Sequence, residues 1–188
     1  MIRGLIGFLP WIVYAFVATS DEWRWGAIVG LACAIVIVII ERTGGKTWDQ
    51  AIIALSAVGF FAVITVYSLI QPDSSLTMYG PALVNVWLGI TAWGSLAIRK
   101  PFTMGMAKAM APKEMWDTPG FYKVNAIITT AWAVAFTVAA ISLTWVLAVD
   151  QHATALVITI KVATFVAPAL FTARYTRMAK ARAQQISQ

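Results

Sequence analysis

The chain alternates long apolar runs with short polar connections. Six runs stand out, at about Leu5–Thr19, Trp25–Ile40, Trp48–Ile70, Tyr79–Ile98, Pro119–Val149 and Ala153–Tyr175. A helix that crosses a bilayer needs about 20 mostly apolar residues, and these runs reach or approach that length. They are continuously apolar, whereas a membrane β-strand would alternate apolar and polar residues. The pattern therefore predicts an all-α, polytopic membrane protein with about six transmembrane helices.

The composition excludes the main alternatives to a membrane protein. Of the 188 residues, 60% are hydrophobic and 12% are charged. A water-soluble domain carries roughly 25% charged residues, and a disordered chain is poor in aromatic and aliphatic side chains. We therefore expect lipid to surround most of the chain. The expected organisation is a single six-helix domain over residues 1–176, followed by a basic cytoplasmic tail over residues 177–188.

The charges of the connections predict the orientation in the membrane. One set of connections and termini holds twelve of the fourteen basic residues, namely Arg3, Arg42, Lys46, Arg99, Lys100, Lys108, Lys113, Lys123, Arg174, Arg177, Lys180 and Arg182. The other set holds only Arg24. Because basic loops stay in the cytoplasm, both termini are predicted to be cytoplasmic. The basic charge would attract anionic lipid head groups, and it gives no indication of a nucleic-acid partner.

Aromatic side chains mark the predicted helix ends. Those at or near an end are Trp23, Trp25, Trp48, Tyr67, Tyr79, Trp116, Phe121, Tyr122 and Tyr175. Tryptophan and tyrosine favour the head-group layer because their rings are apolar and carry a polar atom. We interpret these residues as membrane anchors.

The longest connection, residues 99–118, carries its own helical pattern. Phe102, Met106 and Met110 recur every four residues, which places them on one face of a short helix. Such a face predicts an interfacial helix on the inner leaflet, ended by Pro112. Thr118 and Pro119 then form a typical helix start, with a capping hydroxyl before a proline at the first helical position.

The residues that usually carry chemistry are scarce. Cys33 and His152 are the only cysteine and histidine, so neither a disulfide nor a clustered metal site is expected. The acidic residues fall in loops or at helix ends, and neither a catalytic carboxylate pair nor a nucleophile with its base is visible. No phosphate-binding or dinucleotide-binding glycine motif occurs. The sequence therefore predicts a protein that is not an enzyme, without catalytic residues, metal or cofactor.

Lys161 is the one charge that topology does not explain. It lies about eight residues into the sixth predicted helix, where a charge costs about 2.5–3.5 kcal/mol or more. It could extend its side chain to the head groups, or anchor a polar cluster with Asn85, Asn125, Thr129 or Ser95. It could also bind an anion, a lipid or an aldehyde cofactor, although a retinal-type Schiff base would need an embedded carboxylate as counter-ion. Lys161, Asn85 and Asn125 are the candidate ligand-binding residues.

An ordered set of short motifs resembles a known family. It consists of Phe8-Leu9-Pro10, Arg99-Lys100-Pro101, Phe121-Tyr122-Lys123-Val124-Asn125, Ala131-Trp132-Ala133-Val134-Ala135-Phe136, the embedded Lys161 and the exit Arg174-Tyr175. In this order the chain resembles the bacterial intracellular septation protein A family, small inner-membrane proteins of about this length. The resemblance implies a role in septation and envelope maintenance through contacts with other envelope proteins, without catalytic residues.

Three functions are therefore expected, in order of preference. The first is a non-enzymatic inner-membrane factor of septation or envelope maintenance that acts through membrane or envelope partners, with homo-oligomerisation left open. The second is a small transporter or lipid-binding protein with a site near Lys161. The third is an accessory subunit of a larger membrane complex.

Overall fold

The computed structural model describes residues 7, 9–17 and 23–186, and every regular element in these ranges is helical. The α-helices are α1 (Leu9–Val17), α2 (Trp23–Thr43), α3 (Ile52–Ile70), α4 (Gly80–Ala97), α5 (Phe102–Lys108), α6 (Pro119–Val149) and α7 (Thr154–Ile186). Short 3-10 turns at Trp48–Ala51, Ser75–Tyr79 and Lys113–Met115 precede α3, α4 and α6. The all-α prediction is confirmed for the described part of the chain.

Four helical segments are long and apolar enough to cross a membrane. They are Trp23–Thr43, Trp48–Ile70, Pro119–Val149 and Thr154–Ala179. A fifth candidate is Ser75–Ala97 together with α5, two helices that meet at an angle of 77°. Helix α1 has nine described residues, or about 14 Å of length, and the remainder of the predicted first run lies outside the described residues. Several apolar helices therefore fit a multi-pass membrane protein.

Helix α6 begins and ends where the sequence predicts. It spans 31 residues, and at its start the Thr118 hydroxyl accepts a hydrogen bond from the backbone N–H of Phe121 at 3.3 Å. Helix α7 is longer than predicted. It continues past Tyr175 to Ile186, so the expected boundary between domain and tail at residue 176 is not a break in the helix.

The helices form two packed groups. Helix α1 packs on α2 and α2 packs on α3, while α4 packs on α6 and α6 packs on α7. An aromatic-rich core lies between the two groups of helices. Its buried members include Trp11, Tyr14, Phe60, Phe61, Trp132 and Phe136. The α2–α3 contact is close because Gly30 has no side chain: a Cβ there would lie 2.7 Å from the ring of Phe61.

The bend between α4 and α5 is built on Arg99. Its φ of 56° is in the left-handed region, where glycine is the usual residue. The N–H of Arg99 bonds to the carbonyl of Leu96 at 3.0 Å, and that of Lys100 bonds to the carbonyl of Ser95 at 2.8 Å. These two bonds close the end of α4 and turn the chain sharply into α5.

The short helix α5 packs against the bundle. Two of the three residues of the predicted apolar face contact protein: Phe102 is 2% exposed and Met106 packs on the core. The third, Met110, follows the end of α5 and is 63% exposed. Gly105 allows the close approach, since a Cβ there would lie 2.7 Å from the backbone of Gln50. The apolar side of α5 is thus covered by protein for most of its length, because the Trp48–Ala51 turn and α6 lie over it.

Contacts between connections define the two ends of the bundle. The indole N–H of Trp23 donates to the carbonyl of Pro72 at 3.1 Å, and Tyr79 packs on a cluster that contains Leu147 and Val157. The start of α2, the α3–α4 connection and the α6–α7 connection therefore lie together, at what we call the opposite end. The other end, called the basic end, contains the C-terminus of α2, the start of α3, α5 and the start of α6. It carries Arg42, Lys46, Arg99, Lys100, Lys108, Lys113 and Lys123.

Candidate functional site

Lys161 lies on the side of α7 that faces α6. Val157 and Phe165, four residues before and after it, share its face of the helix. Val157 is buried in a cluster with Leu143, and the ring of Phe165 is 6.1 Å from the rings of both Trp132 and Phe136. Lys161 is half-buried between these two contacts. Its depth therefore corresponds to the middle of α6, between Phe136 and Leu143.

The surroundings of Lys161 offer its charge no counterpart. Ala139 and Ala140 are the buried residues of α6 at this depth. Within the described part of the chain, no hydrogen bond or ion pair involves the Lys161 ammonium group. The structure thus leaves a cation in an apolar span without the anion that usually accompanies it.

Asn85 is a second polar side chain without full pairing at this depth. It is 4% exposed on α4, and its side-chain N–H donates to the carbonyl of Pro81 at 2.8 Å. Its Oδ1 is buried and has no hydrogen-bond partner among the described residues. Ala82, one turn before it, belongs to the cluster that contains Val157, and Gly89, one turn after it, lies beside Phe136. Asn85 and Lys161 are therefore at similar depths, although no hydrogen bond joins them.

Asn125, the third predicted ligand residue, lies elsewhere. The carbonyl of Asn125 accepts a hydrogen bond from the hydroxyl of Thr103 at 3.0 Å, and the same hydroxyl lies 2.8 Å from that of Thr129. Asn125 is about 20 Å from Lys161 along the axes of α6 and α7, because it sits near the start of α6 at the basic end. Asn125 and Thr129 therefore belong to a different polar group from Lys161.

Ser95, also a predicted neighbour of Lys161, fixes the start of α5 instead. Its hydroxyl donates to the carbonyl of Ala92 at 2.8 Å and accepts from the N–H of Phe102 at 3.2 Å. No pattern in the sequence indicates that Thr103 is the centre of the hydrogen bonds with α6. A threonine hydroxyl on a short helix can bond to its own helix, to water or to another helix. Only the tertiary structure shows that Thr103 bonds to α6.

Ion pairs add to the hydrogen bonds of the basic end. The Lys46 ammonium is 2.7 Å from Oε1 of the buried Glu41, and the Lys108 ammonium is 2.9 Å from Oδ2 of Asp49. Lys108 also lies 5.4 Å from the ring centre of Trp116. The first contact joins the end of α2 to the connection that follows it, and the other two join the turn before α3, α5 and the turn before α6. Charge therefore adds to packing at the basic end.

An apolar groove of about 790 Å³ follows the seam between α6 and α7. Small residues open it: Ala131 and Ala135 on α6, with Ala163 and Ala167 on α7. The hydroxyl groups that line it include that of Thr164, which is already bonded to the carbonyl of Ile160 at 2.7 Å. Lys161 does not line the groove, so the groove and the unpaired cation are separate features of α7.

The described residues bring no three histidine, cysteine, aspartate or glutamate side chains together in a way that could hold a metal ion. Cys33 is half-buried within α2, and His152 is exposed in the α6–α7 connection. The arrangement offers one unpaired cation, one unpaired amide oxygen and a large apolar surface.

No family model, curated protein or solved structure matches the chain. The resemblance to the intracellular septation protein A family therefore stays a prediction.

Proposed function

We propose that the chain is a non-enzymatic, multi-pass protein of a bacterial inner membrane that acts by binding other membrane proteins, in septation or envelope maintenance. The observation that supports this most is the exposure of α7. Only 11% of its most apolar stretch is buried, against 33% for α2 and for the Trp48–Ile70 segment and 39% for α6. Its principal neighbour is α6. A partner helix could therefore pack on most of its circumference.

The proposed topology has six crossings with both termini in the cytoplasm. Helix α1, extended by its flanking apolar residues, would be the first crossing, and α4 the fourth. Helix α5 would lie at the inner membrane surface with Met110 toward lipid. The concentration of basic residues at one end of the bundle supports a cytoplasmic basic end. It would also bring the chain into contact with anionic lipids.

Single cysteines test this topology. In a Cys33→Ser background, an impermeant maleimide applied to spheroplasts should label Ser75→Cys, in the α3–α4 connection. Lys113→Cys, at the basic end, is the matched control and should be labelled only in inverted vesicles. Labelling of Ser75→Cys from the cytoplasmic side alone would overturn the proposed orientation.

Photo-crosslinking from α7 tests the proposed partner contact. Ile158 and Val162, exposed by 54% and 56%, would each be replaced by a photoreactive residue in native membranes. Ile39 of α2, exposed by 55%, is the matched control. Both α7 positions should crosslink to the same membrane protein, while Ile39 should react with lipid. Reaction of all three positions with lipid alone would contradict a function exercised through α7.

The role in septation or envelope maintenance requires a cellular measurement. Depletion of the chain should lengthen the cells or make them sensitive to detergent, and re-expression should restore both properties. Unchanged division and an unchanged envelope would leave the third expectation, an accessory subunit of another membrane complex, as the proposal to pursue with the crosslinked partner.

A second candidate is favoured by Lys161 and Asn85. Two incompletely paired polar groups at one depth are what a transporter or lipid-binding protein would present to a ligand. If Lys161→Ala leaves the fold intact but abolishes uptake or binding of a small molecule, this candidate replaces the proposal above. Equal uptake by the variant and the unmodified chain would exclude it.

A further inference from the structure

Lys161 is too deep to reach the membrane surface. The apolar stretch of α7 lies between His152 and Arg174, and its length of about 30 Å matches the hydrocarbon core of a bilayer. Lys161 is about 12 Å from the nearer boundary. A lysine side chain extends over only about half of that distance, so its ammonium group stays below the head groups.

None of the carboxylates that the structure describes lies at this depth. Among the described acidic residues, Glu41 pairs with Lys46 and Asp49 pairs with Lys108, all at the basic end. The others lie in the connections, at Asp73, Glu114, Asp117 and Asp150. A second copy of the chain would offer the same set. The described residues of either copy therefore supply no counter-charge at the depth of Lys161, and a different molecule could supply it.

We propose that Lys161 pairs with an aspartate or glutamate in the membrane-spanning helix of a partner protein. This inference rests on the proposed function and specifies the chemistry of its partner. A carboxylate on a transmembrane helix can lie at the depth of Lys161, whereas a lipid phosphate would have to descend well into the hydrocarbon core. The pairing neutralises both charges in a medium of low dielectric constant, where each alone is costly.

The position of Lys161 suits such a contact. It is half-buried, so part of the residue lies at the surface of the chain, and its neighbour Val162 is 56% exposed. Asn85 Oδ1 cannot neutralise the lysine because an amide oxygen carries no net charge. The carboxylate of the partner is therefore the group that the site lacks.

A synthetic transmembrane peptide provides the test. The full-length chain, with a fluorescent donor, would be placed in phosphatidylcholine vesicles with acceptor-labelled leucine–alanine peptides that carry either one central glutamate or one central glutamine. We expect about tenfold tighter association with the glutamate peptide, the size of a strong polar contact between membrane helices. Lys161→Met should abolish this preference, Lys161→Arg should retain it, and Lys123→Met, at the basic end, should not affect it.

Three results of the peptide experiment would overturn the inference. The first is an equal affinity of the chain for both peptides, and the second is a preference that survives in Lys161→Met. The third is a Lys161-dependent immobilisation of spin-labelled phosphatidylglycerol without any preference between peptides, which would assign Lys161 to lipid. Normal tryptophan emission and gel filtration of Lys161→Met show that its fold is intact. Crosslinks from Ile158 and Val162 that do not depend on Lys161 would refute only this inference and leave the proposed function standing.

Discussion

The polar groups of the basic end are paired, whereas Lys161 and Asn85 in the middle of the bundle are not fully paired. At the basic end, Glu41, Asp49 and Thr103 all have partners within the chain. At the depth of Lys161, the ammonium group has no partner in the described part of the chain, and Asn85 Oδ1 is buried without one. Paired groups stabilise the fold, whereas unpaired buried groups lower stability and persist where another molecule completes them. The difference separates a region held together by paired groups from two side chains whose polar atoms the described chain leaves unpaired.

The largest expected effect tests the packing of the basic end. Gly105→Ala would place a Cβ 2.7 Å from the Gln50 backbone, which cannot move aside as a flexible side chain can. We expect the free energy of unfolding in detergent to fall by about 3 kcal/mol. Gly94→Ala is the matched control, since a Cβ there meets nothing within 4 Å, and it should raise stability by about 0.5–1 kcal/mol. Equal effects of the two variants would show that α5 is not tightly packed.

A change of opposite sign is expected in the middle of the bundle. Lys161→Met removes an unpaired charge from the apolar span and keeps most of the side-chain volume. We expect the free energy of unfolding of the isolated chain in bicelles to rise by about 2 kcal/mol. A loss of stability would mean that Lys161 supports the fold, and the distinction between the two regions would fail.

Two polar substitutions compare the regions directly. Thr103→Val removes the hydroxyl that contacts Asn125 and Thr129, so we expect a loss of about 1.5 kcal/mol. Asn85→Leu removes an amide whose oxygen has no partner, so we expect stability to stay the same or to rise. Thermal unfolding followed by tryptophan fluorescence gives both values. A larger loss for Asn85→Leu than for Thr103→Val would reverse the comparison.

The smallest expected effect concerns the turn that leads into α5. Arg99 adopts the left-handed backbone conformation that glycine tolerates better. Arg99→Gly should raise the free energy of unfolding by about 0.5 kcal/mol, after the greater flexibility of glycine in the unfolded chain is allowed for. Lys100→Gly, at the next position, is the control and should not stabilise. A destabilising Arg99→Gly would show that the arginine side chain contributes more than its backbone costs.

The sequence predicted the limits of the helices better than the contacts between them. Thr118, Pro119 and Asp150 fix the limits of α6 by local chemistry, so that helix was predicted without error. The apolar face of α5 fits lipid and protein equally well, and periodicity cannot distinguish the two. Trp23, interpreted as a membrane anchor, is 5% exposed and bonds to Pro72, which is distant in sequence. Such pairings depend on the tertiary arrangement of the helices.

The same limit applies to the candidate site. The depth of Lys161 follows from counting residues along one helix, and the structure agrees with it. Whether Asn125 lies near Lys161 depends on how α6 and α7 are aligned, which the sequence does not show. Because the two helices are antiparallel, a residue near the start of α6 lies far from one near the start of α7. Asn85 lies at the same depth as Lys161 because α4 and α7 both begin at the same end of the bundle, the one called the opposite end.

The length of α7 has a mechanical consequence. Its 33 residues extend over about 50 Å, so the helix continues for about 20 Å beyond the hydrocarbon core on the basic side. Helices are stiff, so a tilt or rotation of the part around Lys161 moves this projecting part as well. Pro168 is the one place where the described helix lacks a backbone donor, and bending concentrates at such points. A bend at Pro168 would separate the motion of the segment that carries Lys161 from that of the projecting end.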